Sequence, residues 1–106
     1  MINSMNLKNL SHVKQSFLYV VETGDNLKII ADKFNTTQRV LIMINGLENE
    51  VKVGEYILIE QLDGIKYIVK PGDTLEQIAT YSKDSLQSIK IRNKIDDVYV
   101  GQKIYI

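Results

Sequence analysis

The sequence lacks several residue types, and each shortage excludes a class of protein. No cysteine occurs among the 106 residues, which rules out disulfide bonds and thiolate metal sites. The formal net charge is zero, so there is no electrostatic reason to expect nucleic acid or an anionic membrane as a partner. The longest apolar runs, Phe17 to Val21 and Val40 to Ile44, are five residues each. A membrane-spanning helix needs about 20.

The N-terminal segment also lacks the features of a secretory signal. It has no basic start, no uninterrupted apolar stretch and no small-residue cleavage site. Leu7, Leu10 and Phe17 could share one face of a short helix, but no capping residue supports it. We expect residues 1–16 to be a poorly ordered leader, with docking onto the following unit as the alternative.

What the chain does contain is a repeat. Residues 67–79 restate residues 19–31 at a distance of 48 positions, and both read as a short strand, a glycine turn and the start of an amphipathic helix. Residues 100–106 restate residues 53–59 with a shift of 47, so the second copy is one residue shorter. A fixed-period repeat indicates two copies of one unit of about forty residues.

Local signals predict the order strand, helix, helix, strand in each copy. Residues that can cap a helix N-terminus precede each apolar stripe. The predicted caps are Asp25 or Asn26, Thr37, Thr74 with Gln77 as a capping box, and Ser85. Asn45-Gly46 is a helix C-terminal signal.

The run Val40 to Ile44 is ambiguous, because a continuous apolar run fits a buried strand as well as a helix. We predict a helix, since Leu41 and Ile44 lie three residues apart between a cap and an asparagine, as Leu86 and Ile89 do in the second copy.

The predicted fold class is α+β, with two small βααβ units in tandem, each having a two-stranded antiparallel sheet with two helices on one face. The predicted strand pairs are Phe17–Glu22 with Tyr56–Ile59 and Tyr67–Lys70 with Lys103–Ile106. The predicted domains are a leader (1–16), a first unit (17–59), a linker (60–66) and a second unit (67–106).

The repeated residues resemble the lysin motif (LysM) family. The residues that carry the resemblance are 67–75 with Ile78-Ala79, Asn93 and 100–104, and in the first copy Tyr19 to Val21, 24–27, Ile30-Ala31, Asn45 and Val53-Gly54. The resemblance covers residues 19–59 and 67–106. It implies a non-catalytic module that binds N-acetylglucosamine-containing glycans of the peptidoglycan or chitin type.

Several positions depart from the family pattern. Asn26 stands where the family usually has Thr or Ser, and Lys94 where Gly or Pro often follows the asparagine. In the second copy Ser82 takes the aromatic position that Phe34 fills in the first, and Tyr81 lies one place earlier. The departures bear on glycan affinity rather than on the fold.

The resemblance also implies a sugar groove in each unit, between the loop after the first strand and the loop after the second helix. Exposed backbone groups there would pair with an acetamido group, and glycine allows close approach. The implied groove residues are Gly24, Asp25, Asn26, Leu27, Asn45, Gly46, Leu47 and Glu48, and then Gly72, Asp73, Thr74, Leu75, Asn93, Lys94, Ile95 and Asp96.

No residues suggest an enzyme, a metal site or a cofactor. His12 is the single histidine and lies in the leader, where a solvated residue is the expectation. Neither a nucleophile with a matched base nor calcium-loop spacing is present. We therefore expect no catalysis, no metal and no cofactor.

Protein–protein assembly is the rival function, because small LysM modules also occur in spore-coat and phage-tail proteins. Ile42 and Met43 favour it, since a helix over this run would expose at least one of them. The expected locations are synthesis in the cytoplasm and association with a cell wall, spore coat or phage particle.

Overall fold

The computed structural model describes residues 12–106 as two βααβ units, each with its own sheet. The elements in chain order are β1 (Val13–Val20), α1 (Leu27–Lys33), α2 (Gln38–Asn45), β2 (Tyr56–Leu62), β3 (Lys66–Ile68), α3 (Leu75–Ser82), α4 (Leu86–Asn93) and β4 (Lys103–Tyr105). This confirms the α+β class and the tandem arrangement. Residues 1–11, and with them most of the predicted leader, lie outside the described residues.

Both sheets pair as predicted, first strand with last and antiparallel, although their limits differ. β1 pairs with β2 from Val13 opposite Leu62 to Val20 opposite Tyr56. β1 therefore begins before the predicted start at Phe17, and β2 ends after the predicted end at Ile59. The second pairing is shorter, from Lys66 opposite Tyr105 to Ile68 opposite Lys103. The proposed domain limits remain a prediction.

The ambiguous run around residues 40–44 is helical, as predicted. The side chain of Thr37 accepts a hydrogen bond from the Val40 amide at 3.1 Å and so caps α2. Val40 and Leu41 are fully buried, whereas Ile42 and Met43 are exposed. The continuous apolar run thus has one face in the core and one in solvent.

Each unit has a separate core between its sheet and its helices. In the first unit Phe34 packs edge-on against Phe17 and Tyr19, with ring centroids 5.1 and 5.0 Å apart. The second unit has no such aromatic cluster. Ser82 instead donates a hydrogen bond to the Ala79 carbonyl at 3.2 Å, and Tyr81 is 81% exposed.

A third cluster joins the two units. Val40 of α2, Leu62 of β2 and Tyr105 of β4 are all buried against one another, with Ile44 packed beside them. The Asp63-Gly64 turn then leads directly into the second unit. A side chain at Gly64 would approach the Ile106 carbonyl oxygen to 2.7 Å, so the turn requires glycine.

Candidate functional site

The two predicted groove loops of each unit lie against the same core. Leu27 belongs to the buried core of the first unit, and Leu47 packs against that core. Leu75 and Ile95 are both members of the second core. Each unit therefore has its first loop (24–27 or 72–75) and its second loop (45–48 or 93–96) anchored at shared apolar contacts.

The glycine turns leave the backbone accessible at the start of each first loop. Gly24 has φ +91° and Gly72 has φ +87°, backbone angles that residues other than glycine rarely adopt. A Cβ atom added at either position would meet no atom within 4 Å. These turns are thus open to an approaching ligand.

The aspartates of the first loops hold the turns in shape. The Tyr19 hydroxyl donates to Asp25 Oδ2 at 2.5 Å and the Glu22 amide donates to the same oxygen at 2.9 Å. Tyr67 and the Lys70 amide repeat these bonds to Asp73 at 2.5 and 2.9 Å. The tyrosine hydrogen bond is the main reason that the pKa of each carboxyl group lies below its ordinary value.

Asn26 and Thr74, rather than the aspartates, cap the helices. Asn26 Oδ1 accepts from the Ile29 amide at 2.8 Å, and Thr74 Oγ1 accepts from the Gln77 amide at 3.2 Å. The sequence left Asp25 and Asn26 open as caps, and the structure selects Asn26. The substitution of asparagine for the usual Thr or Ser therefore preserves the capping function.

The asparagines of the second loops are structural in both units. The side-chain amide of Asn93 donates to the carbonyls of Ile89 and Tyr105 at 2.9 and 2.8 Å, and its oxygen accepts from the Tyr105 amide at 2.8 Å. Asn45 makes the same three types of bond, one within α2 to Leu41 and two to Leu58 of β2. Their side chains tie the second helix to the last strand and are already fully hydrogen-bonded.

The residue after each asparagine has a left-handed backbone. Gly46 ends α2 with φ 61°, and Lys94 ends α4 with φ 55°. Glycine adopts this conformation freely, whereas a residue with a Cβ atom is strained there. The Lys94 departure therefore places strain in the second unit that the first unit avoids.

Lys94→Gly is expected to raise the free energy of unfolding of the second unit by about 1 kcal/mol, because it removes this strain. Chemical denaturation measures the change. Gly46→Ala is the matched control and is expected to lower stability by a similar amount, since a Cβ atom there meets nothing within 4 Å and only the backbone is affected. A destabilising Lys94→Gly would contradict the assignment.

The remaining predicted groove residues divide by burial. Leu27, Leu75 and Ile95 are 5%, 3% and 7% exposed, so their side chains anchor the loops on the cores. Glu48 and Asp96 are exposed on the second loops. Thr74 is exposed as well and Lys94 is half-buried, so the polar surface of the grooves includes these side chains beside the two carboxylates.

Glu50 was absent from the predicted groove, yet it connects the two loops of the first unit. Its Oε1 accepts from the Leu27 amide at 2.8 Å and from the Val51 amide at 3.0 Å. In the second unit Asp97 accepts from the Val98 amide at 2.8 Å, but within residues 12–106 no side chain accepts from the Leu75 amide. Two features of the sequence could have indicated this contact. The loop of the first unit is one residue longer, and glutamate has a longer side chain than the aspartate of the second unit.

Within residues 12–106 no group of three or more His, Cys, Asp or Glu side chains could hold a metal ion, and no helix is long and apolar enough to cross a membrane. His12 is half-buried rather than freely solvated, because its Nδ1 lies 3.3 Å from the Arg92 guanidinium. Burial, and then the charge of Arg92, lower the pKa of His12.

The exposure expected on α2 is confirmed, since Ile42 is 36% and Met43 53% exposed. Leu18 and Tyr56 on the first sheet are more exposed still, at 68% and 72%. Exposure therefore does not distinguish Ile42 and Met43 from other apolar surface residues, and assembly through them stays a prediction.

Comparison with known proteins identifies the family. The LysM domain family matches residues 19–59 and residues 67–106, which together make up most of the chain. Each segment falls within one of the two units of the structure. The chain belongs to the LysM domain family.

The relatives include an endolysin and an amidase by name. An endolysin of Bacillus phage PZA is 34% identical over 115 residues, covering 98% of this chain and 45% of the endolysin. An N-acetylmuramoyl-L-alanine amidase of Staphylococcus aureus (strain MRSA252) is 28% identical over 109 residues, covering 83% of this chain and 33% of the amidase. The chain thus spans less than half the length of either relative.

Among solved structures, the spore cortex-lytic enzyme SleL of Bacillus cereus matches 87% of this chain and 23% of its own, with 27% identity and a TM-score of 0.42. SleL of Bacillus megaterium QM B1551 matches 86% and 22%, with 28% identity and a TM-score of 0.45.

Proposed function

We propose that this chain is a non-catalytic module that binds N-acetylglucosamine-containing glycans of the peptidoglycan or chitin type, with one groove in each unit. The observation that carries the proposal is the pair of open loops anchored on a shared core in both units. Family membership supports it, and so does the similarity to an N-acetylmuramoyl-L-alanine amidase, whose name refers to a muramic acid derivative.

Recognition in such a groove would rest on the backbone. Gly24 and Gly72 have open space beside the main chain, so a sugar could approach closely and pair its acetamido group with backbone amides and carbonyls there. A shallow groove offers few hydrogen bonds, each worth about 1 kcal/mol net. We expect each unit to bind with a dissociation constant from the high-micromolar to the millimolar range, about −4 to −6 kcal/mol.

The two grooves would differ in strength. Glu50 already occupies the Leu27 amide of the first unit, whereas the corresponding Leu75 amide has no side-chain acceptor within residues 12–106. An amide without a protein acceptor can donate to a ligand by exchanging a water molecule, whereas the Leu27 amide would first have to release Glu50. The second groove is therefore the stronger site in this proposal, and two linked sites would raise the apparent affinity for a polymer.

Chemical-shift perturbation with chitin oligomers and peptidoglycan fragments tests the proposal. Shifts are expected in residues 72–75 and 93–96 first, and in 24–27 and 45–48 at higher sugar concentration. Gly72→Ala is expected to weaken binding by the second unit at least fivefold, on the order of 1 kcal/mol, because a Cβ atom blocks close approach.

Gly101→Ala is the matched control, since Gly101 has the same φ of +87° and an equally open Cβ position but lies outside the groove loops. Equal loss of binding in both variants would point to backbone strain rather than to the groove. If the folded protein shows no shifts at millimolar sugar, the proposal is wrong.

A further inference from the structure

A cleft of 480 Å³ separates the two units and is formed by both of them. The outer face of the second sheet contributes Lys66 and Lys103, and the helices of the first unit contribute Lys28, Asp32 and Arg39. Neither unit would form this cleft alone. It does not include the two glycine turns of the proposed sugar grooves, although Asn93 and Ile95 of the second groove loop also line it.

The cleft is strongly cationic although the chain as a whole is neutral. Four basic side chains line it, and Asp32 is the single carboxylate among the lining residues. Asp32 accepts from Lys103 at 2.6 Å and from Lys28 at 3.1 Å. One carboxylate is thus shared by two ammonium groups, and the cleft retains an excess of positive charge.

Arg39 and Lys66 supply the uncompensated charge. Neither forms an ion pair within residues 12–106, and residues 1–11 contain no Asp or Glu that could supply a carboxylate side chain. Clustering like charges in a partly enclosed space is unfavourable unless an anion is recruited. The cleft therefore has the charge of an anion site.

Arg39 is also held in place across the cleft. Its Nε donates to the Lys94 carbonyl of the second unit at 3.0 Å. Its two Nη groups have no acceptor within the described residues, so they are available to a planar or tetrahedral oxyanion. An arginine fixed at one nitrogen loses less side-chain entropy when it binds through the others.

We propose that the cleft between the units is a second binding site, which takes an oxyanion (a carboxylate or a phosphate) through Arg39, Lys66 and Lys103. The carboxylates of muramic acid and of peptide stems, and the phosphates of anionic wall polymers, share this chemistry. Because Lys94 belongs to the second sugar loop, the anion site adjoins that groove, but it does not depend on sugar binding.

The proposal is tested by titrating the full chain at low ionic strength. The titration is followed through the NMR chemical shifts of the backbone and of the arginine side chains. The probes are inorganic phosphate, the N-acetylglucosamine–N-acetylmuramic acid disaccharide with its free carboxylate, and neutral chitobiose as the reference. We expect at least one anionic probe, and not chitobiose, to shift Arg39, Lys66 and Lys103. A response to phosphate alone identifies phosphate as the ligand chemistry, and a response to the disaccharide alone identifies the carboxylate.

Lys66→Gln is expected to weaken anion binding about threefold, and the double variant Arg39→Gln/Lys66→Gln about tenfold, because charge-assisted bonds are lost. Lys52→Gln, which removes an exposed charge outside the cleft, should leave binding unchanged. Lys66 is exposed on β3, so its single variant provides a test that does not disturb the unit interface.

The proposal is overturned if neither anion shifts the cleft at about 10 mM, a concentration that saturates a millimolar site, or if binding is unaffected by the double variant. Either result leaves the sugar grooves untouched, because these are read separately from the response to chitobiose of residues 24–27 and 72–75, none of which lines the cleft.

Discussion

Replacing Asn93 by alanine is expected to lower the free energy of unfolding of the second unit by about 2–4 kcal/mol. The side chain is 1% exposed and makes three hydrogen bonds, one within α4 to Ile89 and two that connect α4 to Tyr105 of β4. Alanine leaves the Tyr105 amide buried without its acceptor, at a point that water does not reach. A unit of about forty residues has little stability to spare, so this loss is expected to unfold much of it at 37 °C.

Two variants control this experiment. Asn49→Ala changes an exposed asparagine that makes no side-chain hydrogen bond within residues 12–106, and should alter stability by about 0.5 kcal/mol or less. Asn45→Ala removes the equivalent three bonds in the first unit, but Asn45 is half-buried and the expected cost is smaller. Urea denaturation measures all three. An Asn93→Ala protein as stable as Asn49→Ala would show that the bridge is unimportant.

Leu62→Ala is expected to cost about 2–4 kcal/mol and to uncouple the unfolding of the two units. Leu62 is 4% exposed in the cluster with Val40 and Tyr105, which belong to different units. Truncation leaves a cavity at the contact where the apolar surfaces of the units meet. The ion pair of Lys103 with Asp32 and the bond from Arg39 to Lys94 remain, but such partly exposed contacts contribute little alone.

Residue-resolved denaturation followed by NMR measures this effect. The unaltered protein should show one midpoint for both units, whereas Leu62→Ala should show two. Leu18→Ala is the control, because Leu18 is 68% exposed on the first sheet and should change the midpoint little. Coincident midpoints in Leu62→Ala would mean that the remaining contacts couple the units.

Much of the fold follows from short-range sequence signals. Thr37 and Ser85 cap helices as their positions predict, and Gly46 ends α2 in the left-handed conformation. These are interactions between residues three or four apart, which the local sequence specifies without reference to the rest of the chain. The repeat supplied the remaining constraint, because two copies had to adopt the same arrangement.

The limits of the strands and the roles of the groove side chains depend on contacts between residues that are far apart in the sequence. β1 begins at Val13 because residues 60–62 continue β2 and offer it a partner, a pairing that no local pattern in residues 13–16 indicates. Asn45 and Asn93 were predicted as groove residues, yet their side chains bridge to strands more than ten residues away. Glu50 reaches Leu27 over a separation of 23 residues.

The sequence by itself determined two βααβ units of the LysM family, because periodicity, capping and turn chemistry act over a few residues and occur twice. Only the tertiary structure decided how the units meet, since Val40, Leu62 and Tyr105 are unremarkable apolar residues until they pack together. The same packing brings Arg39, Lys66 and Lys103 to one cleft. Charges this far apart in sequence become neighbours only when the chain is folded, and the energy of their interaction depends on distance rather than on sequence separation.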